Sequence, residues 1–324
     1  MVPPAGVPGS FDAGVFRHAG ASHTYKLHLP PGSLGRRPLG LLVMLHGCGQ
    51  DPDDFAAGTR MNALARRQRL AVLYPAQSRE ANRHGCWNWY LPQHQGKQGE
   101  PAWIAALTRS LVRSLHTDSR RVFIAGLSAG GAMAATVARA YPELFAACGV
   151  HSGLAAGTAE GVIDALAAMR SGTRCMPRGA HRLVPTIVFH GERDETVHPR
   201  HARHLVDAAL LASRPGRKSG AADPAPSTQA LDHDVGSRIL YRDGLGRLIA
   251  ERWQLDRLGH AWSGGSAAGS HTDPQGPDAS AQFLRFFQEV APSPRTVAQA
   301  LATGPTRLRK LAVPRSVADS ALAA

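Results

Sequence analysis

The sequence predicts an α/β fold with a mostly parallel central sheet flanked by helices. Five short apolar runs end at glycines or other turn residues, a pattern typical of strands buried on both faces. Stretches with helical spacing separate the first four runs, which favours crossover connections between parallel strands. The chain has 324 residues, of which 43% are hydrophobic, and this is enough to bury one large core.

The strand predictions follow from alternation and from continuous apolar runs. Residues 23–30 alternate in polarity and end at a proline, which predicts an edge strand. The buried strands are predicted, in chain order, at residues 38–50, 70–75, 120–128, 145–153 and 185–191. Two extended runs within residues 237–255 surround the sequence DGLG and predict a hairpin or a bulged turn.

Helices are predicted where apolar residues recur every three or four positions. The predicted helices cover residues 53–69, 101–116, 129–142 and 278–290. The third of these is built of small residues and ends before Pro142. Residues 213–236 are rich in Pro, Gly, Ser and Asp, so we predict a surface loop there.

The domain organisation predicted from these patterns has three parts. A flexible segment over residues 1–22 precedes the main domain, which covers residues 23–290. Residues 291–324 lose all periodicity and carry five basic residues against one acidic residue, which predicts a disordered basic tail. The first twenty residues lack a basic stretch followed by an apolar one, so we predict no signal peptide and leave the compartment open.

The formal net charge of +13 raises the question of an anionic partner. The basic residues are scattered rather than clustered, so we expect no nucleic-acid partner. No apolar run approaches the roughly 20 residues that a membrane-spanning helix needs, so we expect no membrane partner either. The four cysteines contain no C-x-x-C pair, which argues against a structural zinc site. The oligomeric state stays open.

The candidate nucleophile is Ser128, which lies at the end of the third buried run in the sequence GLSAG. In a G-x-S-x-G elbow the chain turns sharply from a strand into a helix, and the serine hydroxyl is exposed at the apex. Glycines two residues before and after the serine remove side chains that would clash there. The start of the following helix favours developing negative charge. A small residue in a plain tight turn is the competing interpretation.

A serine hydroxyl is a weak nucleophile, so it requires a histidine base and an acid that orients the base. The acid is expected after a later strand, and Asp194 in HGERDETV is placed there, with Glu192 and Glu195 as alternatives. The base is expected after the last strand, where His260 lies in a glycine-rich loop and His271 competes with it. His198, His201 and His204 lie close to the acid on a predicted helix, and we expect them to be solvated.

Acyl transfer also requires donors for the oxyanion. The backbone N–H of Ala129 follows the nucleophile directly, and the N–H of Cys48 in the loop HGCGQ is the expected second donor. A plain glycine turn, or Cys48 acting as a nucleophile itself, are the alternatives. A disulfide between Cys48 and Cys86 is a further hypothesis.

Several of these segments resemble the polyhydroxybutyrate depolymerase family of α/β-hydrolase esterases. The resemblance runs from about residue 23 to 290 and includes LHGCGQ, CWNWY, GLSAGGAMAATVARAYPELFAACGVHSGL, IVFHGERDETV and LGHAWSGG. It implies an α/β-hydrolase fold, a triad of Ser128, Asp194 and His260, and oxyanion donors at Cys48 and Ala129. It implies no metal or organic cofactor.

The resemblance implies an ester or polyester substrate, and poly(3-hydroxybutyrate)-type polyesters or their oligomers are the expectation. It also covers feruloyl and acetylxylan esterases, which gives the alternative of plant polysaccharide esters. A non-catalytic binding protein on the same fold is the remote alternative. No separate substrate-binding domain is expected after residue 290, which favours soluble oligomers. Trp262 and Trp89 are expected to bind substrate as an apolar wall, with a core position for Trp87 and Trp89 as the alternative.

Overall fold

The computed structural model describes residues 9–33, 38–173, 182–213, 227–230 and 235–291. Within these ranges ten strands form one sheet. The strands are β1 (Ser10–His18), β2 (Ala21–Leu29), β3 (Gly40–Leu45), β4 (Leu70–Pro75), β5 (Val122–Leu127), β6 (Ala147–His151), β7 (Thr186–Gly191), β8 (Ser227–Ala230), β9 (Gly236–Arg242) and β10 (Leu248–Leu255). A separate short pair consists of β11 (Trp262–Ser263) and β12 (Thr272–Asp273).

The strand order is β1-β2-β4-β3-β5-β6-β7-β10-β9-β8. The six strands from β4 to β10 in this order pair in parallel, and the strands at both ends of the sheet pair antiparallel. Every residue of β3, β4 and β5 is buried, because helices cover both faces of the parallel part. The predicted α/β fold is therefore confirmed, and all five predicted buried runs contain a strand of this sheet.

The helices are α1 (Pro52–Thr59), α2 (Met61–Arg67), α3 (Gly99–Ser114), α4 (Ala129–Ala140), α5 (Val162–Ser171), α6 (Arg200–Ala212) and α7 (Ala279–Val290). One hydrophobic cluster contains side chains of α3, α4 and α6, and a second contains side chains of α1, α2 and α7. The helix predicted over residues 53–69 is divided at Arg60, whose φ of 52° ends α1. None of the helices in the described ranges is both long and apolar enough to cross a membrane.

The prediction that residues 1–22 are flexible is wrong from residue 10 onward. Residues 10–18 form β1, which pairs with β2 at nine consecutive positions, and the ring of Phe11 packs edge-on against Tyr74 at 5.6 Å. A hairpin partner and one aromatic contact stabilise a strand that is only weakly apolar by itself. As a consequence β2 is an interior strand and β1 is the edge strand.

The predicted loop and the predicted tail have different outcomes. The loop predicted over residues 213–236 contains β8, which pairs antiparallel with β9. Sequence pattern could not identify this strand, because its pairing with β9 and not its composition defines it. The basic tail predicted over residues 291–324 lies, apart from Ala291, outside the described residues.

Candidate active site

Ser128 lies between β5 and α4 in a strained backbone conformation. Its φ of 56° and ψ of −121° are uncommon for a residue with a side chain, and its N–H donates to the carbonyl oxygen of His151 at 2.9 Å. A Cβ on Gly126 would lie 2.4 Å from the carbonyl carbon of Gly130, and a Cβ on Gly130 would lie 2.1 Å from the oxygen of Leu45. Both glycines are therefore required for the chain to turn this tightly.

The side chains of Ser128, His260 and Asp194 form a continuous hydrogen-bonded chain. Nε2 of His260 lies 2.9 Å from Oγ of Ser128, and Nδ1 of His260 lies 2.8 Å from Oδ2 of Asp194. Because a carboxylate only accepts, Nδ1 carries the proton and donates to Asp194, which leaves Nε2 free to accept from the serine hydroxyl. The structure thus brings together the three residues that the sequence predicts as a triad.

The carboxylate of Asp194 is completely buried and fully hydrogen-bonded. Its Oδ1 accepts from the N–H groups of Thr196 and Val197 at 3.0 and 2.8 Å. Burial raises the pKa of this carboxyl, but hydrogen bonds from His190 and His260 outweigh burial and hold its pKa well below the usual range. The carboxylate is therefore ionised in the folded protein.

The alternative acids and bases named from the sequence lie elsewhere. Glu192 and Glu195 are exposed, whereas Asp194 is 5% exposed and in contact with His260. His271 contributes its carbonyl oxygen to the N–H of Trp262 at 2.7 Å in the β11–β12 pair. His201 is completely buried, and its Nε2 donates to the carbonyl oxygen of Ala168 at 2.8 Å, so the expectation that it is solvated is wrong.

The loop that follows β3 lies beside Ser128, because Leu45 and Gly126 are paired in adjacent strands. Within this loop the N–H of Gly47 donates to Oε1 of Gln50 at 2.9 Å, and the N–H of Gly49 donates to the oxygen of His84 at 2.9 Å. Among the described residues no acceptor faces the N–H of Cys48 or the N–H of Ala129. The loop therefore satisfies its other donors and leaves the Cys48 donor available.

A disulfide joins Cys48 to Cys86 across a sequence separation of 38 residues. This bond agrees with the pairing hypothesis from the sequence, and it excludes Cys48 as a free thiol nucleophile. The segment after Cys86 also supports the loop, since Nε1 of Trp87 donates to the oxygen of His46 at 3.1 Å. Buried Glu100 accepts from the N–H and from Nδ2 of Asn88 at 2.8 and 2.7 Å, which fixes this segment to α3.

The predicted substrate-binding role of Trp262 and Trp89 is wrong. Trp262 is 1% exposed, its ring lies 5.1 Å from that of His151 and 5.3 Å from that of Phe283, and its Nε1 donates to Oγ of Ser280 at 3.1 Å. Trp89 is 5% exposed in the other hydrophobic cluster. Proximity to His260 in sequence was misleading, because β11 directs the indole of Trp262 into the core.

Two buried histidines beside the triad were not identified from the sequence. His151, at the end of β6, accepts from the N–H of Ser263 at 3.0 Å through Nε2, and its Nδ1 lies 3.1 Å from Oγ of Ser152. Burial lowers the pKa of His151 well below its usual value, so the ring is neutral and connects β6 to the segment after His260. His190, at the end of β7, contacts Asp194 directly. Their only sequence signal is a histidine at the last or next-to-last position of a buried strand.

Known proteins resemble this chain in sequence and in fold. The family model described as Esterase PHB depolymerase matches residues 23–213. The chain is 30% identical over 193 residues to poly(3-hydroxyalkanoate) depolymerase C of Paucimonas lemoignei, covering 56% of this chain and 46% of that protein. It is 32% identical over 127 residues to feruloyl esterase B of Neurospora crassa, covering 39% of this chain and 42% of that protein.

The chain thus spans about half the length of the curated relatives it matches. Among solved structures, the acetyl xylan esterase of Aspergillus awamori superposes with a TM-score of 0.61 at 19% identity, covering 82% of this chain and 94% of that chain. This likeness shows a shared α/β-hydrolase fold.

Proposed function

Because the chain belongs to the Esterase PHB depolymerase family, we propose that it is a serine carboxylesterase that uses Ser128, His260 and Asp194 as its catalytic triad. The observation that carries the proposal is the pair of hydrogen bonds from Ser128 Oγ to His260 Nε2 at 2.9 Å and from His260 Nδ1 to Asp194 Oδ2 at 2.8 Å. A hydroxyl, an imidazole and a buried carboxylate in this order form the arrangement that acyl transfer requires.

The first half-reaction forms an acyl-enzyme. Oγ of Ser128 attacks the carbonyl carbon of the ester while Nε2 of His260 accepts the hydroxyl proton. The tetrahedral oxyanion accepts hydrogen bonds from the N–H groups of Cys48 and Ala129. His260 then gives its proton to the leaving alcohol, the carbon–oxygen bond of the substrate breaks, and the acyl group stays on Ser128.

The second half-reaction returns the free enzyme. A water molecule gives a proton to His260 and its oxygen attacks the acyl carbon, so a second tetrahedral oxyanion forms at the same two donors. Collapse breaks the bond to Ser128, which regains the proton from His260, and a carboxylic acid leaves. Asp194 keeps Nδ1 of His260 protonated throughout and stabilises the imidazolium. No metal or organic cofactor enters either step.

The proposed substrates are short 3-hydroxyalkanoate esters or polyesters of the poly(3-hydroxybutyrate) type. The support is the similarity over 193 residues to a protein named poly(3-hydroxyalkanoate) depolymerase C. Feruloyl or acetyl esters of plant polysaccharides are the second candidate, supported by the shorter similarity, over 127 residues, to feruloyl esterase B. The buried Trp262 and Trp89 provide no aromatic wall, so the tryptophans favour neither class.

A substrate panel tests the proposal and separates the two candidates. The panel contains p-nitrophenyl butyrate, 3-hydroxybutyrate oligomers, methyl ferulate and acetylated xylan. We expect hydrolysis of the first two, with kcat/KM for the oligomers above that for methyl ferulate. The opposite ranking would favour the polysaccharide-ester candidate.

The matched control for the panel is Ser128→Ala, together with labelling by a fluorophosphonate probe. We expect kcat to fall roughly 10⁴- to 10⁶-fold in this variant, because the nucleophile is removed, and we expect labelling to disappear. Wild-type turnover by Ser128→Ala would refute the assignment of the nucleophile. A wild-type protein that neither reacts with the probe nor hydrolyses any ester would support the binding-protein alternative.

A further inference from the structure

A second histidine contacts the carboxylate of the proposed triad. His190, at the penultimate position of β7, is 1% exposed. Its Nε2 lies 2.8 Å from the carbonyl oxygen of Val197 and 3.2 Å from Oδ2 of Asp194. The triad mechanism itself assigns no task to this ring.

The protonation state of His190 follows from its neighbours. Both atoms that face Nε2 are oxygens that only accept, so Nε2 carries a proton, donates to the oxygen of Val197 and makes the longer contact with Oδ2 of Asp194. Nδ1 is buried and has no hydrogen-bond partner among the described residues. The geometry therefore places a proton on Nε2, where it faces both oxygens.

The hydrogen bonds onto Asp194 account for both of its oxygens. Oδ1 accepts from the backbone N–H groups of Thr196 and Val197, whereas Oδ2 accepts from His260 and lies 3.2 Å from Nε2 of His190. The side chain of Asp194 has no exposed surface, so no bulk water substitutes for a lost donor. Without His190, Oδ2 keeps only the bond to His260.

We infer that His190 is a positioning residue, which fixes the Asp194 carboxylate and the Asp194–Val197 turn through one shared N–H. The inference rests on the proposed function, since it assumes that Asp194 orients the base. The shared N–H links the carboxylate side chain to the oxygen of Val197, three residues later, and it therefore holds the acid and its turn on β7 as one unit. Substrate does not reach His190, so its effect passes through Asp194 and His260.

Two variants distinguish the hydrogen-bond donor role of His190 from its contribution to core packing. His190→Leu removes the donor and leaves an apolar side chain, whereas His190→Gln keeps an N–H group that can reach the same oxygens. We expect kcat on p-nitrophenyl butyrate to fall about 10- to 100-fold in the leucine variant with KM changed less than about threefold, because small displacements of catalytic groups cost this much. The glutamine variant should recover to within about fivefold of wild type.

The matched control is His201→Leu. His201 is also completely buried and also donates through Nε2 to a carbonyl oxygen, at 2.8 Å, but it does not contact Asp194. We expect this variant to lose stability in urea unfolding, as His190→Leu does, and to keep kcat within about twofold of wild type, because its lost hydrogen bond is purely structural. A wild-type kcat in a folded His190→Leu protein would overturn the inference, and so would a glutamine variant as slow as the leucine variant.

A spectroscopic measurement remains decisive if His190→Leu does not fold. In protein labelled with ¹⁵N-histidine, the His190 resonances are assigned by their loss in His190→Gln. We expect a proton on Nε2 of His190, and a ring protonated on Nδ1 alone would overturn the inference. Wild-type protein that hydrolyses no ester would refute the proposed function instead, so the two failures are distinguishable.

Discussion

Two loops flank Ser128 at the carboxyl edge of the sheet, and they are held in different ways. The loop after β7 carries Asp194, and hydrogen bonds alone fix its buried carboxylate. The loop after β3 carries Cys48, and a covalent bond to Cys86 fixes it together with the side chain of Gln50. The loop of the proposed catalytic acid therefore depends on protonation, whereas the loop of the proposed oxyanion donor depends on the redox state of two cysteines.

The largest effect is expected from a change to the proposed catalytic acid. Asp194→Asn keeps the shape of the side chain but removes the charge and favours the wrong tautomer of His260, so we expect kcat to fall about 10⁴-fold. Kinetics on p-nitrophenyl butyrate measure the loss. The control is Glu192→Gln, which makes the same chemical change on an exposed neighbouring carboxylate and should leave kcat unchanged. If the control loses activity and Asp194→Asn does not, the acid is wrongly assigned.

A smaller effect is expected from breaking the covalent bond in the loop of the proposed oxyanion donor. The double variant Cys48→Ala with Cys86→Ala keeps the backbone N–H at position 48 but frees the loop. We expect kcat to fall about 10- to 100-fold. Complete removal of one oxyanion donor costs about 10²- to 10³-fold, and here the donor is displaced rather than removed. Unfolding in urea should show a loss of about 2–5 kcal/mol.

Treatment with a reducing agent supplies the control for this variant. Wild-type protein should lose activity on reduction, and the residual activity of Asp194→Asn should fall by a similar factor, while the double variant should show no further change. Cys148→Ala should respond as wild type does, because the Cys148 thiol is buried and forms no disulfide within the described residues. Full activity in the double variant would show that Gln50 and Trp87 hold the loop without the disulfide.

Gln50 tests the non-covalent support of the same loop. Its Oε1 accepts from the N–H of Gly47, and its Nε2 donates to Asp54 and to the oxygen of Ser270. Gln50→Leu leaves a buried N–H unpaired, which costs about 1–3 kcal/mol. We expect a loss in kcat of about tenfold, since the neighbouring Cys48 N–H shifts with it. Gln68→Leu is the control, because Oε1 of Gln68 is buried and has no hydrogen-bond partner in the part of the chain that the structure describes.

The smallest effect concerns stability in acid. The pKa of Asp194 is lower in the folded protein than in the unfolded chain, so its ionised form stabilises the fold above about pH 4. This contribution is lost as the pH falls toward the folded pKa. The difference in unfolding free energy between wild type and Asp194→Asn should therefore be larger at pH 7 than at pH 3. An equal difference at both values would mean that the charge of Asp194 contributes nothing to stability.

The sequence was sufficient for the parallel core because local pattern and burial coincide there. The apolar runs at residues 70–75 and 185–191 are buried on both faces, and the strands differ from the predicted bounds by one residue at most. The serine elbow was predictable for a similar reason, since only glycine fits at positions 126 and 130. The β1 strand was not, because its order comes from hairpin pairing with β2 and from the packing of Phe11 against Tyr74 rather than from its own apolar pattern.

The errors within the site have a common cause. Trp262 lies two residues after His260, yet its indole is buried in the core as part of β11, whereas the imidazole of His260 contacts Ser128. The contact between His190 and Asp194 was missed because a histidine in a buried strand has no periodic signature. Sequence spacing identifies which loop carries a residue, but the direction of its side chain depends on tertiary packing.

The Cys48–Cys86 bond closes a covalent ring that contains α1, α2 and the interior strand β4. A protease that cuts once inside this ring would leave two polypeptides that remain attached to each other. Such a nicked molecule would migrate as one species on a non-reducing gel and as two on a reducing gel. The disulfide that holds the loop of the proposed oxyanion donor would therefore also keep the two fragments of a cleaved chain covalently joined.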